Sequence, residues 1–156
     1  MTIGLKPGFR YTPEQTLPHR GSLLLIDEVL DYEAEAVRCR VRVRRESPFC
    51  EDGGVPAWVG LEYMAQAMGV YSGIELLQKG QQPRIGFLIG TRRYESSVPV
   101  FLIGADLEVS ARVSLWEEDR LYAFDCAIHE SGRKLAWGEI KAFRPLDVHA
   151  YLKENT

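Results

Sequence analysis

The stretch Pro56-Ala-Trp-Val-Gly-Leu-Glu-Tyr-Met-Ala-Gln-Ala-Met-Gly-Val-Tyr-Ser-Gly-Ile-Glu-Leu-Leu-Gln-Lys79 decides the fold. It is the one segment that reads as a long helix. Pro56 suits the approach or the first turn, and Lys79-Gly80 fits the end. Its interior is loaded with small residues: Gly60, Ala65, Ala67, Gly69, Ser72 and Gly73. A glycine inside a helix costs about 1 kcal/mol relative to alanine. Three of them imply a compensating gain, most simply another backbone packed very close, so this helix is expected to be buried and wrapped.

The flanking sequence supplies the wrapping. Residues 13–18 read as a short helical or turn lead. Residues 23–31 (LLLIDEVLD) read as a strand buried at its start. In 36–45, Val37, Cys39, Val41 and Val43 alternate with Arg38, Arg40, Arg42 and Arg44, giving one apolar and one basic face. A loop rich in Pro, Gly and acidic residues covers 46–55. Beyond the helix come four strand-like runs, 85–94, 105–116, 121–129 and 134–143, with turn signals at 96–99, 117–119 and 131–132. Two strands, one long helix and four strands make an α+β pattern with an antiparallel sheet. A curved sheet around a single central helix satisfies it. At 156 residues one domain is expected, 1–156, with a short lead over 1–16.

The bulk numbers exclude several function classes. A composition 46% hydrophobic and 26% charged is ordinary for a globular protein. The net charge of −3 argues against a general nucleic-acid binder. Residues 1–11 (MTIGLKPGFRY) lack an apolar core of signal-peptide length, and no run approaches the ~20 apolar residues that span a bilayer. Cys39, Cys50 and Cys126 are few, odd in number and widely spaced, which suits a reducing compartment. No membrane association and a cytoplasmic location are therefore expected. His19, His129 and His149 stand far apart and never meet a cysteine at ligand spacing, which argues against zinc. With no Gly-rich phosphate loop and no Ser-centred elbow, no cofactor is implied.

Glu62 is the first candidate for chemistry, since it sits in an almost uncharged helical run. A carboxyl in apolar surroundings holds its proton near neutral pH, and a general acid needs that proton to release a hydroxyl as water. The alternative is a Glu pointing to solvent near a helix start, where the dipole favours it. Gln66, at i+4, is placed to orient the carboxyl. Ala57 and Trp58 open the helix, where unpaired N–H groups could polarise a thioester carbonyl or simply be capped. The arginine stripe, with Arg45, could steer an acidic partner such as an acyl carrier protein. A solvated sheet face neutralised by Asp106 and Glu108 is the simpler reading.

Two motifs resemble a known family. Leu17-Pro-His-Arg-Gly-Ser-Leu-Leu-Leu-Ile-Asp27 resembles the opening L-P-H-R-x-x-x-L-L-x-D of the (3R)-hydroxyacyl-acyl-carrier-protein dehydratases. Residues 56–69 resemble that family's P-G-x-x-x-x-E-A-M-A-Q-x-x-G central helix. The likeness runs from about Pro13 to Phe143. It implies a hotdog fold, a dimer, and an active site at the dimer interface where a helix Glu of one subunit faces a loop His of the other. In that family the His takes the α-proton, the Glu protonates the 3-hydroxyl, and a helix-start N–H binds the thioester oxygen. Carried over, these are Glu62 and the N–H of Ala57, with Gln66 following. The substrate implied is an acyl chain on the phosphopantetheine of an acyl carrier protein.

The chain departs from the family at the helix start, where the family's Gly is Ala57, and more critically in the loop before it. The family's His belongs to a G-H-F-P motif before the helix, whereas residues 47–56 (SPFCEDGGVP) contain no histidine. Three readings follow. This chain supplies Glu62 to a composite site whose His comes from a second hotdog subunit, a pattern similar to one dehydratase subunit of aryl-polyene pigment clusters. Alternatively His19, Glu51 or Asp52 serves as base in a homodimer, with hydrolysis by a thioesterase an outside possibility on the same fold. Or the chain is a non-catalytic acyl-thioester binder or structural partner. Tyr63, Met64 and Phe87 are candidates to line an acyl tunnel, or plain core.

Overall fold

The computed structural model describes residues 11–84, 86–117, 121–145 and 147–154. In chain order the elements are α1 (Pro13–Thr16), β1 (Glu28–Glu33), β2 (Ala36–Arg42), β3 (Gly54–Pro56), α2 (Gly60–Gln78), β4 (Phe87–Ser96), β5 (Val100–Leu102), β6 (Asp106–Trp116), β7 (Leu121–Glu130), β8 (Arg133–Phe143) and α3 (Val148–Glu154). Six strands form one antiparallel sheet in the order β1-β2-β6-β7-β8-β4, and β3 pairs with β5 in a separate ribbon. The sheet folds around α2, giving the α+β hotdog architecture. Among the described residues no helix is long and apolar enough to cross a membrane.

Alternation decides which face of the sheet meets the helix. Val37, Cys39 and Val41 of β2 are buried under α2 with Leu107, Val109 and Ala111 of β6. The arginines between them point outward into a ladder of ion pairs. Arg38 meets Asp31 at 3.3 Å and Glu108 at 2.7 Å, Arg40 meets Glu28 at 2.7 Å and Asp106 at 3.1 Å, and Arg44 meets Asp27 at 3.3 Å. Arg38, Arg40 and Arg44 are thus neutralised on this outer face. Hydrogen bonding to Glu108 raises the Arg38 guanidinium pKa further.

Helix α2 is apolar almost all round, as a helix inside a wrapped sheet must be. Tyr63, Met64, Ala67, Val70, Ile74 and Leu76 are buried. Of its three glycines only Gly73 meets another backbone: a Cβ there would stand 2.0 Å from the carbonyl oxygen of Thr16 in α1. Gly60 and Gly69 instead make room for side chains, those of Tyr94 and Leu17. The close packing inferred from the sequence is therefore backbone-on-backbone at one position and side-chain at two. The helix ends on Gly80 at φ +74. The Gly80 N–H bonds to Leu77 O at 3.0 Å and the Gln81 N–H to Leu76 O at 2.9 Å, the paired closure that a left-handed glycine allows.

The first strand begins later than expected, at Glu28. Residues Gly21–Leu23 curl into a 3-10 turn, and the buried Leu25 and Ile26 follow it as extended chain outside the sheet. Ribbon β3–β5 and helix α3 were not legible in the sequence, each being short.

Candidate active site

One helical stripe faces a cavity between α2, the lead segment and the sheet. Glu62, Ala65, Gly69 and Ser72 follow each other at spacings of three and four along α2, and all four line a cavity of about 350 Å³. Their small side chains leave a trough. Leu17, Pro18 and His19 close one side, and Trp116, Tyr122, Phe124 and Arg144 another.

Gln66 organises the Glu62 end. Its side chain is 1% exposed. Oε1 accepts from the Leu25 N–H at 2.9 Å, while Nε2 donates to Leu23 O at 2.7 Å and to Glu62 Oε1 at 3.3 Å. The expected i,i+4 hydrogen bond is present, and Gln66 also ties the lead segment to the helix. Glu62 itself is exposed. The apolar surroundings inferred from its sequence neighbours are not supplied by this chain alone, because those neighbours point into the core while Glu62 points away.

The helix start differs from expectation. The Ala57 N–H donates to Pro99 O at 3.0 Å, because the β3–β5 ladder continues one residue past Pro56. A thioester oxygen could reach that N–H only by competing with Pro99. The next amide, of Trp58, has no acceptor among the described residues. The 3-10 turn Ala57–Val59 is held from beyond by the Tyr94 hydroxyl, which donates to Ala57 O. Burial pushes that phenol up to about 12. Trp58 is 64% exposed and packs edge-on against Phe49, with ring centroids 5.7 Å apart.

His19 lines the same cavity as Glu62, and its Nδ1 is buried without a hydrogen-bond partner. Glu51 and Asp52 are exposed in the preceding loop and are not among the cavity's lining residues. Tyr63 and Met64 are core rather than tunnel, 2% and 0% exposed; the Phe87 side chain lies outside the described residues. The sequence reading missed Arg144, which is 2% exposed at the other end of the trough from Glu62, with Ser72 as its partner. A lone Arg after the last strand gives no signal, since its burial depends on Trp116 and Tyr122 from two other strands.

A family model described as ApeP dehydratase, ApeP-like, matches residues 11–153. Among solved structures, a chain of the dehydratase heterocomplex ApeI:P from Xenorhabdus doucetiae superposes with a TM-score of 0.87 at 27% identity, covering 95% of this chain and 100% of that one. A hypothetical thioesterase with coenzyme A from Streptococcus pneumoniae shares the fold at 13% identity and a TM-score of 0.58, covering 75% of this chain and 84% of that one. The PaaI protein of Escherichia coli does so at 12% and 0.58, covering 74% and 81%.

Proposed function

The chain belongs to the ApeP-like dehydratase family, and from that premise we propose that it is the glutamate-bearing half of a composite 3-hydroxyacyl-thioester dehydratase in polyene-type biosynthesis. Glu62 is the general acid, and a second hotdog subunit supplies the histidine base. The partner's His removes the C2 proton of the thioester. Glu62 gives a proton to the C3 hydroxyl, which leaves as water, and the C2–H electron pair becomes the C2=C3 double bond. Gln66 is a positioning residue, holding the carboxyl toward the trough.

The observation that carries this reading is the state of Glu62 in the single chain: fixed by Gln66, lining a cavity, yet open to solvent. A covering subunit supplies the enclosure that the acid needs. The head of α2 is prepared for one. Leu23 is 67% exposed, Phe49 53%, Trp58 64% and Leu102 65%, an unusual concentration of large apolar side chains. The loop ahead of the helix offers no histidine, and the similar ApeI:P is a heterocomplex. The substrate is proposed to arrive on the phosphopantetheine arm of an acyl carrier protein.

A second reading has its own observation. His19 shares the cavity and keeps Nδ1 unpartnered, so it is the candidate base if the chain works without a histidine-bearing partner. Enoyl absorbance from a 3-hydroxyacyl-thioester, measured with the chain alone and with the second subunit, separates the two. Turnover only in the mixture, retained in His19→Ala, supports the composite site. Turnover by the chain alone, lost in His19→Ala, overturns it.

A further inference from the structure

Ala57 is gripped on both sides of its backbone by one stretch of chain. Its N–H donates to Pro99 O at 3.0 Å, and its carbonyl oxygen accepts from the Tyr94 hydroxyl as well as from the Gly60 N–H. Three separate features bring that hydroxyl into place. Arg93 takes a left-handed φ of +58, uncommon for a residue with a side chain. A bulge sets Arg93 and Tyr94 together opposite Gly138, where a Cβ would stand 3.1 Å from Tyr94 Cα. Gly60 leaves the last space, since a Cβ there would stand 2.4 Å from the phenol oxygen. Bulges re-aim side chains in this way, and they gather beside active sites. The phenol, pushed up by burial, keeps the proton that it donates.

What the grip controls is the turn it closes. Tyr94 and Gly60 take both lone pairs of Ala57 O, and Ala57–Val59 stay in a 3-10 turn ahead of the α-helix. In a continuous α-helix Trp58 and Glu62, four apart, would be neighbours on one face. Here they are not. Trp58 rests edge-on against Phe49, with ring centroids 5.7 Å apart, and it is not among the lining residues of the cavity that Glu62 lines. A 3-10 turn advances about 120° per residue and an α-turn about 100°. Releasing the turn into α geometry would therefore bring Trp58 about 40° nearer the line of Glu62. We propose that Tyr94 is a positioning residue that holds the Trp58 ring clear of Glu62 and so keeps the mouth of the trough open to substrate. The role of Glu62 here rests on the dehydratase reading, but the position of the Trp58 ring can be measured without turnover.

Labelling with 5-fluorotryptophan gives a separate fluorine resonance for each of Trp58, Trp116 and Trp137. In the unaltered chain, nuclear Overhauser contacts from the Trp58 ring should reach Phe49 and not the Glu62 side chain. Contacts to Glu62 overturn the proposal without any variant, so a variant that fails to fold leaves it testable. Tyr94→Phe should move the Trp58 resonance and leave those of Trp116 and Trp137 in place. Para-aminophenylalanine at position 94 should bring it back, because the amine restores a donor. A Trp58 resonance unmoved in Tyr94→Phe also overturns the proposal. In the complex with the histidine-bearing partner, Tyr94→Phe should raise KM for a 3-hydroxyacyl-thioester about fivefold or more, as fewer sites stand open. There kcat should hold, and para-aminophenylalanine should recover KM. A fall in kcat and melting temperature with KM unchanged assigns Tyr94 a purely structural role. If the unaltered complex dehydrates nothing, the composite-site reading fails while the contacts and resonances of Trp58 still decide for or against Tyr94.

Discussion

Helix α2 carries two glutamates, about four turns apart, and their surroundings are opposite. Glu62 near its start is exposed and makes one long hydrogen bond, 3.3 Å, to Gln66. Glu75 near its end is 17% exposed, with one oxygen on Lys79 and the other facing buried Arg144. Both sit in apolar runs of sequence. The difference comes from what faces them: ionic partners at one end, open trough at the other. A carboxyl whose oxygens are already taken by cations has little left to offer a substrate.

Substitution at each position tests that contrast. Glu62→Gln should lower turnover of the two-subunit complex by about 10²–10⁴-fold, the usual worth of a positioned general acid, while its melting temperature stays unchanged. Unfolding, rather than loss of turnover, would make Glu62 structural and erase the comparison. Glu75→Gln should instead appear in denaturant titration, with a loss of about 1–3 kcal/mol as the buried guanidinium loses its counter-charge. The contact that seats this half of the helix gives a similar test. Gly73→Ala drives a methyl onto Thr16 O and should cost about 1–3 kcal/mol. Gly69→Ala, facing the movable end of Leu17, should cost less.

The smallest effect concerns the face of α2 turned toward the core. Burial pushes the Tyr63 phenol up to about 12, as it does Tyr94 on β4, and holds the Cys39 thiol of β2 at about 12. An acid whose folded pKa is raised leaves the unfolded chain binding fewer protons once the pH passes the group's ordinary pKa. The stability it contributes is complete below pH 9 and declines from there toward pH 12. Melting temperature should therefore begin a shallow fall above pH 9. A flat profile through pH 11 would mean that these groups are hydrated in the folded protein.

The α+β class, the long helix and the six main strands were legible because each rests on a local pattern, alternation in β2 and an unbroken apolar run in α2. Glu62, Gln66 and His19 were legible as members of two motifs, and the structure brings all three to one trough. What could not be read depends on distant pairing. The Ala57 N–H is consumed because Pro99, some forty residues on, extends a three-residue ribbon that no periodicity announces. Arg144 is buried by aromatic rings from β6 and β7, and its chain neighbours give no hint of them. The exposure of Glu62 was misjudged for a related reason: apolar neighbours in sequence are not neighbours in space when a helix turns them to the other side.

The side chain of Gln66 reads the backbone of Leu23 and Leu25, not their side chains. For anyone reshaping this protein, that makes the segment an exchangeable cassette at its solvent side. The Leu23 side chain can be rewritten to suit a new partner or a wider mouth while the amide and carbonyl that Gln66 grips stay where they are. A proline at position 25 is the substitution to avoid, because it deletes the one N–H that Gln66 accepts from and would unlatch the carboxyl from a distance.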